Sequence, residues 1–311
     1  MDIFVTGASG YIGGVVAEKL QAAGHRVAGL ARSDEAADRL HARAITPVRA
    51  DLFDAARLAQ TAEVADGVIH LAAIFGPDWQ AGDRAAVQAI LGALDGSSKP
   101  FVYTSIATVY GDTGATVADE DAPLNPPPFH RWRPAVEQDV LRAASRGVRS
   151  IVLRPAAVYG RGGGSSLLLL VQSARQGGAT RYVGEGDARW STVHVDDLAD
   201  LYVLALERAV GGMLLNAAGG TSASMHELAS AISQALGMGG DCEPWTLEAA
   251  RAAFGPRADL FAMNQQISGA RAILQLGWNP RAPSVLHDMA FGSYRHAFSA
   301  YSQSQTSPRA G

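Results

Sequence analysis

Apolar runs and amphipathic stretches alternate along the first half of the chain. Each short apolar run is followed by a stretch whose apolar residues recur every three or four positions, as with Val15, Val16 and Leu20 after the first run. This alternation of strand and helix signals predicts a parallel sheet with helices on both faces. The runs predicted as strands are 3–5, 26–31, 45–50, 67–71, 101–105 and 150–153.

The alternation becomes irregular after residue 155. We expect residues 1–155 to form the sheet domain, and 156–298 to form a smaller lobe that intermixes with it over the carboxyl edge of the sheet. Residues 299–311 are polar without periodicity, which predicts a disordered tail. Strand signals in this half are 181–183 and 213–216, and helix signals are 166–176, 195–208, 225–236, 247–254, 268–276 and 283–298.

A glycine-rich turn joins the first predicted strand to the first predicted helix. Gly7, Gly10 and Gly13 are spaced three residues apart. Glycines at such a turn let the backbone approach a pyrophosphate, and the helix N-terminus offers free N–H groups and a positive dipole. The context predicts a dinucleotide-binding α/β fold of the Rossmann type, with a doubly wound parallel sheet. A generic strand–helix turn is the alternative.

The end of the second predicted strand indicates which dinucleotide is bound. In this fold an acidic residue there binds the ribose 2′-OH of NAD, whereas an arginine accommodates the 2′-phosphate of NADP. Arg32 and Ser33 occupy this position. They predict NADPH/NADP as the cofactor, and a solvent-exposed arginine without that role is the alternative.

Composition and charge narrow the classes of partner. The net charge is −4 without a basic cluster, which argues against nucleic acid. Cys242 is the single cysteine, so neither a disulfide framework nor a cysteine-based metal site is expected. Neither a signal peptide nor a membrane-spanning apolar run is recognisable, which favours a cytoplasmic protein without a membrane partner.

Six stretches together resemble the extended branch of the short-chain dehydrogenase/reductase superfamily. The resemblance implies a Rossmann fold, a bound nicotinamide dinucleotide and a small-molecule substrate, and its members often form homodimers. By it, His194, Asp196 and Asp197 would hold the lobe against the sheet, although their spacing leaves a metal site open. The matching stretches, in family order, are TGASGYIGG (6–14), Asp51-Leu52, HLAA (70–73), TSIATVYG (104–111), LRPAAVYG (153–160) and WSTVHVDDLADL (190–201).

The same resemblance assigns cofactor contacts residue by residue. Those at the pyrophosphate would be Gly7, Ser9, Gly10, Tyr11, Ile12 and Gly13. Those at the adenosine would be Arg32, Ser33, Asp51 and Leu52. Those at the ribose and the nicotinamide would be Leu71, Ala72, Ala73, Thr104, Arg133, Pro155 and Val158.

The catalytic pattern of the family is missing. Its members use a Tyr-x-x-x-Lys pair with a Ser or Thr, but the only lysines here are Lys19 and Lys99, and neither lies four residues after a tyrosine. The family's Tyr, Lys and Ser positions fall on Phe129, Arg133 and Ile106. The chain thus resembles an atypical subgroup found among ketoreductases of polyketide antibiotic biosynthesis.

These departures predict ketone reduction by NADPH in which the substrate, for example a phenolic ketone, supplies its own acid. Ser105 and Thr108 would donate hydrogen bonds and Arg133 would supply positive charge. Strand-end backbone bonding for the two hydroxyls and a surface helix position for Arg133 are the structural alternatives. His130 would border the active-site mouth. A nucleotide-sugar epimerase or dehydratase and a non-catalytic NADP-binding sensor are the competing functions.

Overall fold

A parallel sheet of seven strands forms the centre of the protein, in a computed structural model that describes residues 1–74 and 76–295. Its order is β10-β6-β5-β4-β1-β2-β3. The chain therefore winds outward in one direction from β1 and in the other from β4, so the switch point lies between them. The strands are β1 (Asp2–Thr6), β2 (Arg26–Ala31), β3 (Thr46–Arg49), β4 (Gly67–His70), β5 (Pro100–Thr104), β6 (Arg149–Pro155), β7 (Ala157–Tyr159), β8 (Thr180–Val183), β9 (Arg189–His194), β10 (Met213–Ala217), β11 (Thr221–Ser224) and β12 (Cys242–Trp245).

Helices cover both faces of this sheet. One face packs against α1, α2, α7 and α11, and the other against α3, α4 and α5. The helices are α1 (Tyr11–Ala22), α2 (Asp34–His41), α3 (Ala55–Val64), α4 (Trp79–Leu94), α5 (Arg133–Arg142), α6 (Ser165–Gly177), α7 (Val195–Arg208), α8 (Met225–Ala235), α9 (Leu247–Phe254), α10 (Ala258–Phe261), α11 (Ala270–Leu276) and α12 (Val285–Phe291).

Strands at the centre of the seven-stranded sheet carry consecutive apolar residues because both of their faces are buried. In β1, Ile3 and Val5 belong to one core, whereas Phe4 belongs to the core on the opposite face. Successive side chains of a strand point to opposite faces, so a strand covered on both sides needs apolar residues at consecutive positions. This confirms the predicted doubly wound α/β class.

The segments after β6 build a lobe over the carboxyl ends of the strands. β11, β9 and β7 form a three-stranded sheet, and β12 pairs with β8. Their shared core includes Leu167, Trp190, Phe261 and Met289. The lobe is tied to α1 by the Tyr11 hydroxyl, which donates to the Gly160 carbonyl at 2.8 Å.

Part of the second half belongs to the central sheet. β10 pairs in parallel with β6, and α7 packs directly against α1 on the same face of the sheet. The intermixing that the sequence predicts therefore has a concrete form, in which the chain leaves the sheet after β6 and returns to it at β10.

The strands predicted in the first half match β1 to β6 to within two residues. Four observed strands, β7, β9, β11 and β12, have no counterpart among the strands predicted from the sequence. Of the helix predicted over 283–298, the structure shows α12 over Val285–Phe291; residues 296–298 and the predicted tail 299–311 lie outside the described residues. Within 1–74 and 76–295, none of the helices has the length and apolar character needed to cross a bilayer.

Candidate functional site

A cavity of about 1130 Å³ lies between the carboxyl ends of the central strands and the lobe. It extends from the glycine turn to Trp190 and Gln265. It brings together two of the three predicted catalytic residues, Ser105 and Thr108, and every predicted cofactor residue except Arg133. The predicted residues that line it are Gly7, Ser9, Gly10, Tyr11, Ile12, Gly13, Arg32, Ser33, Asp51, Leu52, Leu71, Ala72, Ala73, Thr104, Ser105, Thr108, Pro155 and Val158.

The glycine turn has no room for side chains where it meets α1. A Cβ on Gly13 would lie 2.1 Å from the Gly7 carbonyl oxygen, and Gly7 itself has a φ of +78°. Gly10 precedes α1 without a side-chain cap, so the first N–H groups of the helix stay available. This cradle fits a pyrophosphate, which needs close backbone approach and free N–H donors.

Thr6 ties the glycine turn to the end of β4. Its hydroxyl accepts hydrogen bonds from the backbone N–H groups of Leu71 and Ala72, at 3.1 and 3.2 Å. The His70 side chain lies behind it and is buried, with Nδ1 2.9 Å from the Thr6 hydroxyl. The two strand ends at the switch point are therefore held in one register.

Arg32 and Arg39 line the end of the cavity where the sequence predicts the adenosine. Both are exposed, and within the described residues neither forms a hydrogen bond or an ion pair. Ser33 caps α2, because its hydroxyl accepts a hydrogen bond from the Ala36 N–H at 3.2 Å. The sequence prediction included Arg32, just before α2, and missed Arg39, which lies within α2 seven residues further on.

Asp51 is shaped by the turn that follows β3. Its Oδ1 accepts hydrogen bonds from the N–H groups of Phe53 and Asp54, at 2.7 and 3.2 Å. Leu52 is buried beside it, and both residues line the cavity. The carboxylate keeps its second oxygen for a donor such as an adenine amine.

Hydroxyl groups cluster where β5 ends. Thr104 Oγ1 lies 2.6 Å from the Tyr202 hydroxyl, and the Ser105 N–H donates to the Leu153 carbonyl at 2.8 Å. Ser105 Oγ is buried and has no hydrogen-bond partner among the described residues. Thr108 Oγ1 lies 2.6 Å from Nδ1 of His130. Ser105 is therefore the hydroxyl of this cluster that is free to bind a ligand.

Arg133 lies behind the cavity wall, which corrects its expected position in two ways. It does not line the cavity, and at 5% exposure it is not a surface helix residue either. Its guanidinium packs against the rings of both Trp79 and Trp132, 4.9 and 4.6 Å from their centroids. Nη1 donates to the Tyr103 hydroxyl at 3.2 Å. The cofactor-binding role of Arg133 therefore stays a prediction, and its position behind the cavity wall does not support that role.

A buried carboxylate and the two indoles explain where Arg133 lies. The Tyr103 hydroxyl donates to Asp83 at 2.8 Å, so Arg133 sits one hydroxyl away from a negative charge that is only 2% exposed. Aromatic faces attract a guanidinium by about 0.5–2 kcal/mol each. Both attractions stabilise the guanidinium at this position, which does not line the cavity.

The sequence predicted His130 at the active-site mouth, whereas the structure buries it behind the cavity lining as the hydrogen-bond partner of Thr108. Burial, with added repulsion from Arg133 and Arg257, lowers its pKa from 6.5 to about 3. It is therefore a neutral ring at neutral pH, and it orients the Thr108 hydroxyl. In the sequence, His130 was marked as a site residue by its place next to Phe129, which occupies the position of the family's tyrosine.

We expect His130 to make the fold less stable in acid. Below pH 6.5 the unfolded chain binds a proton that the folded chain refuses until about pH 3, so stability is lost as the pH falls through this window. The free energy of unfolding should fall by about 1.4 kcal/mol per pH unit more than in His130→Asn. Urea titrations at several pH values measure the difference. His287→Asn, on the exposed face of α12, is the control and should keep the wild-type slope; a wild-type slope in His130→Asn would contradict the prediction.

A buried ion pair supports the cavity wall from behind. Arg154 Nε donates to Glu137 at 3.0 Å, and its Nη1 donates to the Tyr110 hydroxyl at 2.7 Å. That hydroxyl donates in turn to Asn216 at 2.8 Å, which links β6 to β10. Burial acts to lower the pKa of Arg154, but the Glu137 carboxylate outweighs it and the pKa is raised.

The motif at 190–201 has a structural role. His194 Nδ1 accepts a hydrogen bond from the Asp196 N–H at 3.2 Å and so caps α7. The Asp197 carboxylate accepts hydrogen bonds from the N–H groups of Arg281 and Ala282, at 3.1 and 3.0 Å. Across the described part of the chain, no group of three or more His, Cys, Asp or Glu side chains could hold a metal ion.

Three relatives cover most of the chain. An uncharacterized protein of Schizosaccharomyces pombe is 33% identical over 94% of this chain and 100% of its own length. A 4-hydroxy-2-methyl-3-oxo-4-farnesyl-3,4-dihydroquinoline-1-oxide ketoreductase of Stigmatella aurantiaca is 28% identical over 81% of this chain and 78% of its own length. A UDP-glucose 4-epimerase of Mycolicibacterium smegmatis is 30% identical over 90% of this chain and 94% of its own length.

Solved structures share the fold. A dTDP-glucose 4,6-dehydratase of Bacillus anthracis in complex with NAD has a TM-score of 0.78 at 17% identity, over 97% of this chain and 98% of its own. A UDP-glucose 4-epimerase of Thermotoga maritima with UDP-glucose has a TM-score of 0.77 at 20% identity, over 97% of this chain and 100% of its own. At these identities the likeness shows architecture alone.

The family is decided by a sequence profile. The profile of the NAD dependent epimerase/dehydratase family matches residues 3–218, from β1 past the end of β10. The glycine turn, the doubly wound sheet and the cavity at its switch point all lie in or against this span. The chain therefore belongs to the NAD dependent epimerase/dehydratase family, within the extended short-chain dehydrogenase/reductase superfamily of nicotinamide-dinucleotide enzymes.

Proposed function

We propose that this protein reduces a ketone on a small, uncharged molecule with NADPH, and that the substrate supplies the acid. The distribution of charge along the cavity carries the proposal. Among the described lining residues, the charged side chains are those of Arg32, Arg39 and Asp51, all at the adenosine end. The lobe end is lined by apolar side chains and neutral polar ones, among them Ile106, Leu168, Trp190 and Leu260.

NADPH would lie along the carboxyl ends of the strands. The glycine turn and the N-terminus of α1 would hold its pyrophosphate, and Arg32 with Arg39 would hold its 2′-phosphate. When bound, the dinucleotide supplies the hydride. A second guanidinium at the adenosine end, without an acidic residue directly after β2, supports NADPH over NADH.

The residues at the reacting end favour a substrate-supplied proton. Ser105 Oγ–H is free to donate to the ketone oxygen and to stabilise negative charge as it develops there. Tyr11 is the tyrosine of the described lining, but its hydroxyl already donates to Gly160 and burial raises its pKa. A phenol of the substrate, hydrogen-bonded to the ketone, would take over the role of the missing acid.

Two relatives support ketone reduction through their names. One is the Stigmatella ketoreductase, and another is a 2-alkyl-3-oxoalkanoate reductase of Stenotrophomonas maltophilia, 27% identical over 76% of this chain and 76% of its own length. The epimerase relatives favour the alternative of a nucleotide sugar. Such a substrate brings a second diphosphate, which cationic side chains bind best, and the described lobe end of the cavity offers none.

Turnover of phenolic ketones tests the proposal. NADPH oxidation is followed with a set of aryl ketones that carry an ortho phenol, and with the matched methyl ethers. The phenols should react about 100-fold faster or more, because a positioned proton donor contributes about that factor. Equal rates for a phenol and its methyl ether would contradict the proposal that the substrate supplies the acid. NADPH binding without any oxidation would favour a sensor, and interconversion of UDP-glucose would favour an epimerase.

Replacement of the two arginines should reverse the cofactor preference. Each hydrogen-bonded ion pair with a phosphate is worth about 1.5–3 kcal/mol, so Arg32→Ala and Arg39→Ala should each weaken NADPH binding by about 10- to 100-fold. NADH lacks the 2′-phosphate and should bind with little change. Calorimetric titration of both cofactors measures the effect. Arg43→Ala, at an exposed arginine that does not line the cavity, is the matched control; a parallel loss for NADPH and NADH would contradict the assignment.

A further inference from the structure

Two polar groups in the cavity wall are buried without a hydrogen-bond partner in the described structure. They are Ser105 Oγ on the sheet side and Gln265 Nε2 on the lobe side. The two residues are only 5% and 7% exposed. Buried polar groups are almost always paired in folded proteins, so an unpaired donor beside a cavity points to an acceptor on the ligand. Ser105 has a role in the proposed reaction, whereas Gln265 has none.

The backbone at Gln265 is fixed on both sides. Its N–H donates to the Arg189 carbonyl at 2.7 Å, and its own carbonyl accepts from the Ser191 N–H at 2.8 Å. These two bonds pair Gln265 with Trp190 of β9, another cavity residue. The Gln265 side chain is therefore held in the wall by its main chain.

The next residue provides a contrast. Gln266 does not line the cavity, and its Nε2 donates to the Gly114 carbonyl at 3.1 Å. Adjacent residues of an extended segment point to opposite sides. One glutamine of the pair is thus satisfied within the protein, and the other is left with a free amide nitrogen at the cavity.

The surroundings of Gln265 define the acceptor. Trp190 and Leu260 line the same end of the cavity, and no charged side chain of the described lining lies there. A carboxylate or phosphate would be desolvated at this end without a cation to pair with it, which is costly. A carbonyl or hydroxyl oxygen would accept the hydrogen bond without that cost.

We propose that Gln265 determines specificity by donating a hydrogen bond to a second, neutral oxygen of the substrate. The substrate class is then a ketone with a further carbonyl or hydroxyl oxygen, rather than a simple monoketone. Ser105 takes the reacting oxygen and Gln265 takes the second one. This inference rests on the proposed reduction for its catalytic consequence, but the binding contact stands independently of turnover.

Calorimetry on the cofactor-free protein tests the contact without turnover. A phenyl alkyl monoketone and the matching β-diketone are titrated into wild type, Gln265→Leu and the control Gln266→Leu. Wild type and Gln266→Leu should bind the diketone about tenfold more tightly than the monoketone, since a hydrogen bond kept by one ligand and lost by the other has about that effect. Gln265→Leu should bind the two ketones equally. An unchanged preference in Gln265→Leu, or no preference in wild type, would overturn the inference.

Kinetics separate the inference from the proposed function. In the presence of NADPH, Gln265→Leu should raise KM for the diketone and leave that for the monoketone within about twofold, whereas Ser105→Ala should lower kcat for both. Diketone binding that depends on Gln265, without NADPH oxidation, would end the proposed reduction and keep the contact. Reduction with identical KM values in wild type and Gln265→Leu would support the proposed reduction and contradict the contact with Gln265.

Discussion

Gly13→Ala is expected to abolish dinucleotide binding and to destabilise the fold, whereas Gly14→Ala, one residue further along α1, is expected to do neither. The added Cβ at position 13 would lie 2.1 Å from the Gly7 carbonyl oxygen and 2.6 Å from its carbon. Both are backbone atoms, so relief requires α1 to move away from the turn. That movement would open the cradle for the pyrophosphate, and overpacking of this kind costs about 1–3 kcal/mol or more.

Gly14 provides the matched control because its clash is with a flexible group. Its added Cβ would meet the end of the Arg43 side chain, and the next atom, the Ala8 carbonyl oxygen, lies 3.5 Å away. The arginine can swing aside, and alanine gains up to about 1 kcal/mol of helix propensity over glycine. Titration with NADPH and urea unfolding measure both variants. Wild-type affinity in Gly13→Ala, or equal losses in both variants, would contradict the prediction.

The glycine turn was predictable because its requirements are local. The close approach of the backbone at Gly7 and Gly13 requires glycines at fixed spacing. The strand before the turn and the helix after it are both predicted by the periodicity of apolar residues. The position of Arg32 at the cavity was predictable for a similar reason, since this residue follows directly after the end of β2. Arg39 was missed because its position at the cavity depends on the orientation of α2, which a sequence pattern does not fix.

The reacting end was less predictable because its contacts join distant segments. Thr108 contacts His130, 22 residues further along the chain. The indoles that hold the Arg133 guanidinium include that of Trp79, at the start of α4. The position of Arg133 in the sequence suggests a replacement for the family's lysine, yet its surroundings in the fold hold its side chain in a different place. Gln265 has no sequence signal at all, since its place is fixed by hydrogen bonds to β9.

The lobe strands escaped prediction for a related physical reason. β11 has the sequence TSAS, with only one apolar residue, and it is held by antiparallel pairing with β9. Its first residues are exposed, so no apolar alternation marks it. β7 and β12 are equally short and pair with strands far away in the chain. Such strands are stabilised by pairing with distant strands, whereas a sequence pattern depends only on the side chains of the segment itself.

The polarity of the cavity connects its two ends to one function. Exposed guanidiniums at the adenosine end suit a phosphorylated cofactor, which is held mainly by charge. The lobe end has neutral donors in apolar surroundings, which suits a ligand recognised by shape and by a few hydrogen bonds. These two ends fit the proposed reaction of a neutral ketone beside a dinucleotide better than they fit the binding of a second charged nucleotide.

Arg154→Met is expected to cost about 3–5 kcal/mol of the free energy of unfolding, because it leaves a buried carboxylate without its partner. The Glu137 side chain is 2% exposed and the Arg154 side chain 4% exposed, so water cannot replace the lost guanidinium. The Tyr110 hydroxyl loses a donor in the same change. Since Pro155 follows Arg154 directly and lines the cavity, NADPH binding should weaken as well.

Two control variants separate the lone buried charge from a general loss of packing. The double variant Glu137→Leu/Arg154→Met removes both charges and should recover most of the stability, because replacing a whole buried pair by apolar residues is often nearly neutral. Arg146→Met removes one partner of the exposed pair with Asp95, whose side chains are 47% and 45% exposed, and should change stability by at most about 1 kcal/mol. Urea unfolding at neutral pH ranks the three. If the double variant were as unstable as Arg154→Met, geometry rather than the unpaired carboxylate would be the cause; if Arg154→Met matched Arg146→Met, the buried pair would not stabilise the cavity wall.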